Sequence, residues 1–335
     1  MMKRTEAQIM ENWQCQSPPL VSIICVVYNQ EAYVIDAIES LLAQQTNFRF
    51  EIVIQDDAST DNTPSIIESY VKKYPHIIKP IFHKENQFSQ YRKNILLTAI
   101  PYAQGEYIAI CEGDDYWINS NKLSVQISQM QQHPQCDVSF HPVLRRYVNG
   151  KKRENVFSAH TSHNQIFTTK QLILGGGGFC PTASFVFKRS VFNAIPEWFL
   201  DAPIGDYFWQ ILASLKGGAL YINQVMAVYR VGSIGSWSER MAKDEDYVYD
   251  YFVRMLKSLK DINAYTNNTY IKEFNFIKNK ICFSMCRNPL LSLERRQQIF
   301  SENKFNFIHN ITWHLVYKNK KTCRFVSKLK YYIWD

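Results

Sequence analysis

Apolar positions in this chain fall first into short continuous runs and later into helical stripes. Residues 21–28 (VSIICVVY) form a mostly apolar, β-branched run of strand length, the pattern of a strand covered on both faces. Ile35, Ile38, Leu41 and Leu42 then recur at spacings of three and four, which predicts one amphipathic helix running through Gln45. Residues 50–55 read as a second strand, and Thr63 with Pro64 supplies an N-cap and a first-turn proline for a helix to Tyr74. The alternation repeats with a strand at 77–83, a helix at 89–103 and a strand at 106–111.

Strands alternating with helices predict parallel βαβ units with right-handed crossovers, and so an α/β fold with a doubly wound, mostly parallel sheet. Ligands of such sheets belong at the carboxyl ends of the strands. Asn29 follows the first strand, Asp56 and Asp57 the second, and Glu112, Asp114 and Asp115 the fourth. Carboxylates gathered after two separate strands suggest a site, although they are also ordinary turn formers. Beyond Asn121, an N-cap for a helix to Gln132, the pattern loosens. Residues 145–164 are polar and basic, a loop or hairpin, and the four glycines 175–178 allow close backbone approach to a ligand. A strand at 182–187 and a helix at 206–216 follow, and from Lys243 onward aromatic and aliphatic residues at helical spacing predict several helices.

Composition narrows the class. The 335 residues are 46% hydrophobic and 20% charged, which excludes a disordered or low-complexity chain. The net charge of +8 resides entirely in the last 95 residues, so a neutral body carries a basic tail and an acidic partner is expected there. The eight cysteines include no C-x2-C pair, and Cys282 and Cys286 read as neighbours on one helix face rather than as metal ligands. Residues 1–18 lack the apolar core of a signal peptide, and no run of 18 apolar residues occurs, so the expectation is a cytosolic, reduced protein.

Two common readings of an α/β sheet fail. The turn after the first strand is Tyr28-Asn29-Gln30-Glu31, neither a G-x-G-x-x-G nor a phosphate loop. A sheet with carboxylates at its strand ends needs a divalent cation before a nucleotide diphosphate can approach. Taken in order, 21–29 with its helix, Asp56-Asp57-Ala58-Ser59-Thr60-Asp61, Gly105-Glu106-Tyr107-Ile108 and Glu112-Gly113-Asp114-Asp115 resemble the inverting family 2 glycosyltransferases of the GT-A fold, over residues 19–238.

The resemblance implies a glycosyltransferase domain at 19–240, its nucleotide-binding half at 19–118 and its acceptor half at 119–240, preceded by a polar leader at 1–18 and followed by a basic helical region at 241–335. It implies that Asp57 binds the uracil or ribose of a donor, and that Glu112-Gly113-Asp114 occupies the D-x-D position with Glu in place of the first Asp. Asp114, with Glu112, would hold Mn2+ or Mg2+, and Asp115 would face the acceptor. Asp206 matches the family's catalytic base, the group that takes the proton from the attacking hydroxyl, with Asp201 as its rival. Arg92 and Arg230 would meet the donor phosphates, Arg230 from a loop at 229–238 that closes over the diphosphate. Gly178 and Trp237 would line the acceptor side. Many relatives carry a His where Gly232 stands.

A sugar passing from a UDP-linked donor to a polyprenyl-diphosphate-linked glycan in surface polysaccharide assembly is the function this implies, carried out at the inner face of the cell membrane. The tail fits: aromatic residues from Phe305 to Trp334 interleave with Lys318, Lys320, Lys321, Arg324, Lys328 and Lys330, the composition of an interfacial helix on anionic lipid. A packed helix with a solvated basic face is the plainer reading. Nucleic acid is not expected as a partner, because the body is neutral. The rival functions are a noncatalytic nucleotide-sugar or glycan-binding module and a sugar nucleotidyltransferase, which needs a glycine-rich loop after the first strand that this chain lacks.

Overall fold

The computed structural model describes residues 4–14, 18–88, 95–148, 150, 152–234, 241, 243–318 and 322. The chain divides into two compact units, Met1–Ile234 and Gly235–Asp335.

The first unit is built on an eight-stranded sheet of order β3-β2-β1-β4-β10-β6-β11-β9. Strands β1 (Val21–Val27), β2 (Phe50–Asp56), β3 (Ile78–Phe82) and β4 (Tyr107–Ile110) are parallel to one another. β1 and β2 are buried almost throughout, as continuous apolar runs require. Helices α2 (Val34–Leu42), α3 (Thr63–Lys73) and the short α4 (Ile95–Ala99) make the crossovers. β10 (Val186–Lys188) joins antiparallel between β4 and β6 (Val138–Phe140), and β11 (Ala219–Tyr221) runs parallel to β6 and antiparallel to β9 (Gln165–Phe167). A second sheet has the order β5-β12-β7-β8, formed by Tyr116–Trp117, Ala227–Val231, Val143–Tyr147 and Asn155–Phe157. Helices α5 (Lys122–Gln132), α6 (Thr169–Gly175) and α7 (Asp206–Ser214) complete the unit.

Several local expectations change. The stretch read as a polar leader holds helix α1 (Glu6–Met10), which packs Ile9 into the core, while Trp13 meets the Phe50 ring edge-on. Glu6 accepts from the His76 and Ile77 amides, tying that helix to the approach to β3. Thr63 is the first helical residue after the cap position Asn62, and its hydroxyl accepts from the Gln30 amide instead of capping α3. Asn121 stands at the cap position of α5 without a capping bond. Residues 182–184 form a 3-10 turn, so the strand expected at 182–187 shortens to β10. The hairpin alternative holds for the basic stretch, as β7 and β8 pair antiparallel.

The second unit consists of helices α8 (Glu245–Tyr265), α9 (Ile271–Cys286), α10 (Leu293–Glu302) and α11 (Phe307–Thr312), the last running into a π-helical turn at Trp313–Tyr317. Its core gathers Val248, Phe252, Cys282, Cys286, Ile299, Trp313 and Tyr317. Cys282 and Cys286 are buried free thiols on one face of α9. Burying Trp313 and Tyr317 corrects their reading as interfacial aromatics: the helix hides these two rings and exposes Phe307, Ile308, Ile311 and Leu315.

Candidate active site

Strand order 3-2-1-4 places the first crossover reversal between β1 and β4, where an open parallel sheet parts its loops and leaves a crevice. The β1 and β2 ends are latched together by side chains from their loops. The Asn29 amide donates to Ser59 Oγ at 2.8 Å, and the Thr60 amide donates to Asn29 Oδ1 at 2.8 Å. The Glu31 amide donates to Asp61, and Glu31 in turn accepts from the Asn62 amide. Asn29 and Ala58 both take left-handed backbone, with φ of 50° and 62°, so the two loops turn sharply outward from the sheet.

Asp57 follows β2 and is almost fully buried. Its carboxylate accepts from the Gln87 amide at 2.7 Å and the Phe88 amide at 3.1 Å, and the Asn86 side chain donates to its carbonyl. Asp57 therefore ties the segment after β3 to the carboxyl end of β2.

At the β4 end, the Gly113 amide donates to the Val26 carbonyl, drawing the Glu112-Gly113-Asp114 turn against β1. A Cβ on Gly113 would lie 2.3 Å from both Val27 Cγ1 and Gln30 Oε1, so only glycine permits this approach. Glu112 keeps solvent access and Asp114 is half-buried, while the protein packed around both displaces part of their hydration. Lost hydration, followed by the charges of Asp114 and Asp206, pushes Glu112 up to about 8. Burial also raises Asp114, against a hydrogen bond from the Ser233 hydroxyl. Asp206 opens α7 as its first residue and accepts from the Tyr207 amide; burial pushes it up to about 6. Glu112, Asp114 and Asp206, from distant stretches of sequence, thus share one field. Tyr229 on β12 stands in it too, its phenol raised by burial and then by Asp115, Glu112, Asp114 and Asp206.

Two predicted site residues lie in the wall of this cleft. Asp115 is buried and accepts from the Arg230 amide at 2.9 Å, so its carboxylate joins the β4–β5 turn to β12. The Arg230 guanidinium donates to the Asp114 carbonyl and to Asp36, with its carbon 5.3 Å from the Tyr33 ring centre and 4.5 Å from that of Tyr116. This guanidinium is committed to fixing the Asp114 backbone. Gly232, two residues on, has a φ of 84°, a conformation that a histidine at this position would adopt only under strain.

The glycine run ends α6 and crosses beside α7. Gln210 of α7 is fully buried and donates to the Leu172 and Gly176 carbonyls while accepting from the Cys180 amide. From the other side Ser158 donates to the Gly178 carbonyl, and the His160 ring stacks on Phe179 with centres 3.9 Å apart. Gly177 lies closest to Tyr207 and Ile204, next to Asp206. Asp201 is exposed at the end of a 3-10 turn and is not among the charges that raise Glu112. Arg92 and Trp237 lie outside the described residues.

Pattern reading found Asp57, Glu112, Asp114 and Asp115 because they sit at strand ends, whereas Asp206, at a helix start, came only from the family resemblance. It did not single out Gln210, Tyr229, Ser233 or Asn86, whose roles come from contacts over long sequence distance; Gln210, a polar residue in the otherwise apolar helical run Tyr207–Ile211, was the one available signal.

No group of three His, Cys, Asp or Glu side chains placed to hold a metal ion occurs among the described residues. The donor chemistry nevertheless suits a hard cation: Glu112 and Asp114 present oxygens in a field of unbalanced negative charge, and the nearest guanidinium is already engaged.

The chain belongs to glycosyl transferase family 2, whose family model matches residues 22–195. Uncharacterized proteins of Mycobacterium tuberculosis and Mycobacterium bovis are 36% identical over 218 residues, 65% of this chain and 60% of theirs, so the chain spans about three fifths of their length. Bacillus subtilis TuaG, named as a teichuronic acid biosynthesis glycosyltransferase, is 29% identical over 250 residues, 73% of this chain and 92% of TuaG. Among solved structures, S. aureus TarS 1-349 in complex with UDP-GlcNAc superposes with a TM-score of 0.56 at 20% identity, covering 72% of this chain and 66% of TarS. The mannosyltransferase PcManGT from Pyrobaculum calidifontis in complex with GDP-Man and Mn2+ gives 0.51 at 18% identity, with 73% and 67% covered. The GT-A-like α/β fold with C-terminal helices expected from the sequence is the fold observed.

Proposed function

We propose that this chain transfers a sugar, with inversion, from a nucleotide-linked donor to a hydroxyl of a glycan acceptor. The observation that carries the reading is the convergence of Glu112, Asp114 and Asp206 on one cleft, with Asp206 poised near 6. An ionised Asp206 accepts the proton of the attacking hydroxyl, and the glycine loop clamped by Gln210 presents that hydroxyl to it. Glu112 and Asp114 would hold Mn2+ or Mg2+, which supplies charge neutralisation at a departing diphosphate. Asp57 binds the base or ribose, and Arg230 acts by holding the Asp114 backbone in place. Uridine diphosphate is the proposed nucleotide, in keeping with the TarS complex, and surface polysaccharide the proposed product, in keeping with the name of TuaG.

Among the described residues no helix is long and apolar enough to cross a membrane. A peripheral location at the inner face of the cell membrane, next to a polyprenyl-linked acceptor, is favoured by the exposed apolar face Phe307, Ile308, Ile311 and Leu315 together with the basic tail. The deciding assay follows release of nucleoside diphosphate from UDP- and GDP-sugars with and without Mn2+. Turnover that disappears in chelator and in Asp114→Asn supports the reading; full turnover in chelator refutes the metal.

A further inference from the structure

The end of the sheet opposite the cleft carries a feature the transfer reaction does not use. A cavity of about 1110 Å³ opens there, between the starts of β1, β2 and β4, the side of α5 and the end of β10. Its walls are pinned from several directions. The Gln104 and Gly105 amides donate to the buried Ser22 hydroxyl, and the Gln104 amide also donates to Glu51 at 2.7 Å. Glu51 is itself buried, accepting from Ser22 and pairing with Lys79 at 2.5 Å. The Arg189 amide donates to the Glu106 carbonyl, the Leu20 amide to the Arg49 carbonyl and the Gln14 amide to the Asn47 carbonyl. A Cβ on Gly105 would lie 2.4 Å from the Ser22 amide nitrogen, so this wall is closed by a glycine that nothing larger can replace.

The lining chemistry is specific. Five carboxamide residues, Gln14, Asn47, Gln104, Gln131 and Asn193, border the cavity, and none of their side chains has a hydrogen-bond partner among the described residues. Three serines and the Phe48 ring lie among them. Carboxamides offer a donor and an acceptor on one planar group, which matches the paired hydroxyls of a sugar ring, and an aromatic face receives its C–H side. Arg49, Lys188 and Arg189 outnumber the single carboxylate Glu106; Lys188 is engaged by Asp137, whereas Arg189 makes no ion pair among the described residues. A guanidinium in that position favours a carboxylate or phosphate carried on the ligand.

We propose that this cavity is a second saccharide site, which holds an anionic stretch of glycan at the pole away from the cleft. Only the choice of a glycan as ligand rests on the proposed transferase activity. An anchored chain would raise the local concentration of its own free end for further transfer, an avidity effect without any new contact at the cleft. Nucleic acid is the less suitable anion, because three cationic side chains among carboxamides and a carboxylate are a weak electrostatic footprint for a phosphate backbone.

The test uses the full chain and a hyaluronan hexasaccharide, which alternates uronate and amide-bearing sugars, with chitohexaose and inorganic phosphate as comparisons. Calorimetric titration is expected to give saturable binding of the acidic hexasaccharide, weakened at least fivefold by Arg189→Ala and by Gln104→Ala/Asn193→Ala, and unchanged by Asp114→Asn or by a saturating nucleotide sugar. Transfer to a short acceptor is expected to be unaffected by Arg189→Ala. If Arg189→Ala loses its thermal transition, Arg189→Gln with intact melting must still show the fivefold loss. Binding abolished by nucleotide sugar, equal binding of chitohexaose, displacement by equimolar phosphate, or no saturable binding overturns the proposal. Donor turnover in the same samples reports on the transferase reading separately, since either result can be obtained without the other.

Discussion

Asp206 illustrates how far a single residue is set by its surroundings. A carboxyl group held near 6 is half ionised at about pH 6 and mostly ionised at neutral pH, which suits a general base. The catalytic efficiency is expected to rise with pH through a limb near 6 set by Asp206, and Asp206→Asn is expected to remove that limb with a loss of roughly 10²-fold or more in turnover at unchanged nucleotide affinity. Equal losses in turnover and affinity would make the residue structural. Lys122 shows the opposite sign. Its ammonium is fully buried, 3.9 Å from the centre of the Trp117 ring, with no hydrogen-bond partner for its nitrogen among the described residues, and burial pulls it down to about 7. Below that pH both folded and unfolded chains carry the proton and the folded state bears the whole desolvation penalty. Between about 7 and the ordinary 10.5 only the unfolded chain keeps it, so stability rises with pH. Lys122→Met is expected to flatten that rise and to raise the unfolding free energy at pH 6 by roughly 1–3 kcal/mol; an unchanged slope in chemical denaturation from pH 6 to 10 would contradict this. Lys122 enters the sequence reading only as a residue of the helix predicted from the cap Asn121 to Gln132, because a helix prediction does not say that a charge on it will be enclosed.

At the scale of elements, what was legible followed from local pattern. β1 and β2 are continuous apolar runs and are buried strands, and the acids after β2 and β4 are at carboxyl ends because parallel strands leave them nowhere else to be. Boundaries set by distant contacts were not legible. Thr63 gave up its cap position because the Gln30 amide needed an acceptor, and residues 182–184 left the sheet as a 3-10 turn whose Ala183 carbonyl accepts from the Trp117 indole. The glycine between Glu112 and Asp114 was read as one letter of a motif, while its physical reason is contact with Val27 and Gln30. Gly113→Ala forces the turn away from β1, and strain of that kind costs typically 1–3 kcal/mol. The expected outcome is a lowered melting temperature together with loss of the stabilisation by Mn2+ that is expected of the parent; a variant that melts and responds to Mn2+ like the parent would show that the turn has room to relax.

For the whole molecule, charge and burial divide differently from what composition alone suggested. The basic excess lies in the last 95 residues, yet the helical unit there has a core of its own, closed by Arg296, whose Nε donates to the Cys286 carbonyl and whose terminal nitrogen donates to that of Tyr317. Trp313 and Tyr317 belong to that core, so any cut upstream of Lys318 would confound folding with surface binding. Residues 319–335 hold Lys320, Lys321, Arg324, Lys328 and Lys330 against one acid, Asp335. Each basic group near an anionic leaflet contributes about 1 kcal/mol before screening. The exposed Phe307, Ile308, Ile311 and Leu315 add apolar area that screening does not weaken. Deleting 319–335 is therefore expected to leave the melting temperature intact, to abolish sedimentation with anionic liposomes at moderate salt, and to slow transfer to a long-chain lipid acceptor while sparing a short soluble one. Phe307→Ser/Leu315→Ser should weaken liposome binding even at low salt, where the tail still pulls. Retention of both variants on liposomes at the parent's level would leave the membrane role without support, and a truncated chain with a lowered melting temperature would assign 319–335 to the helical core instead.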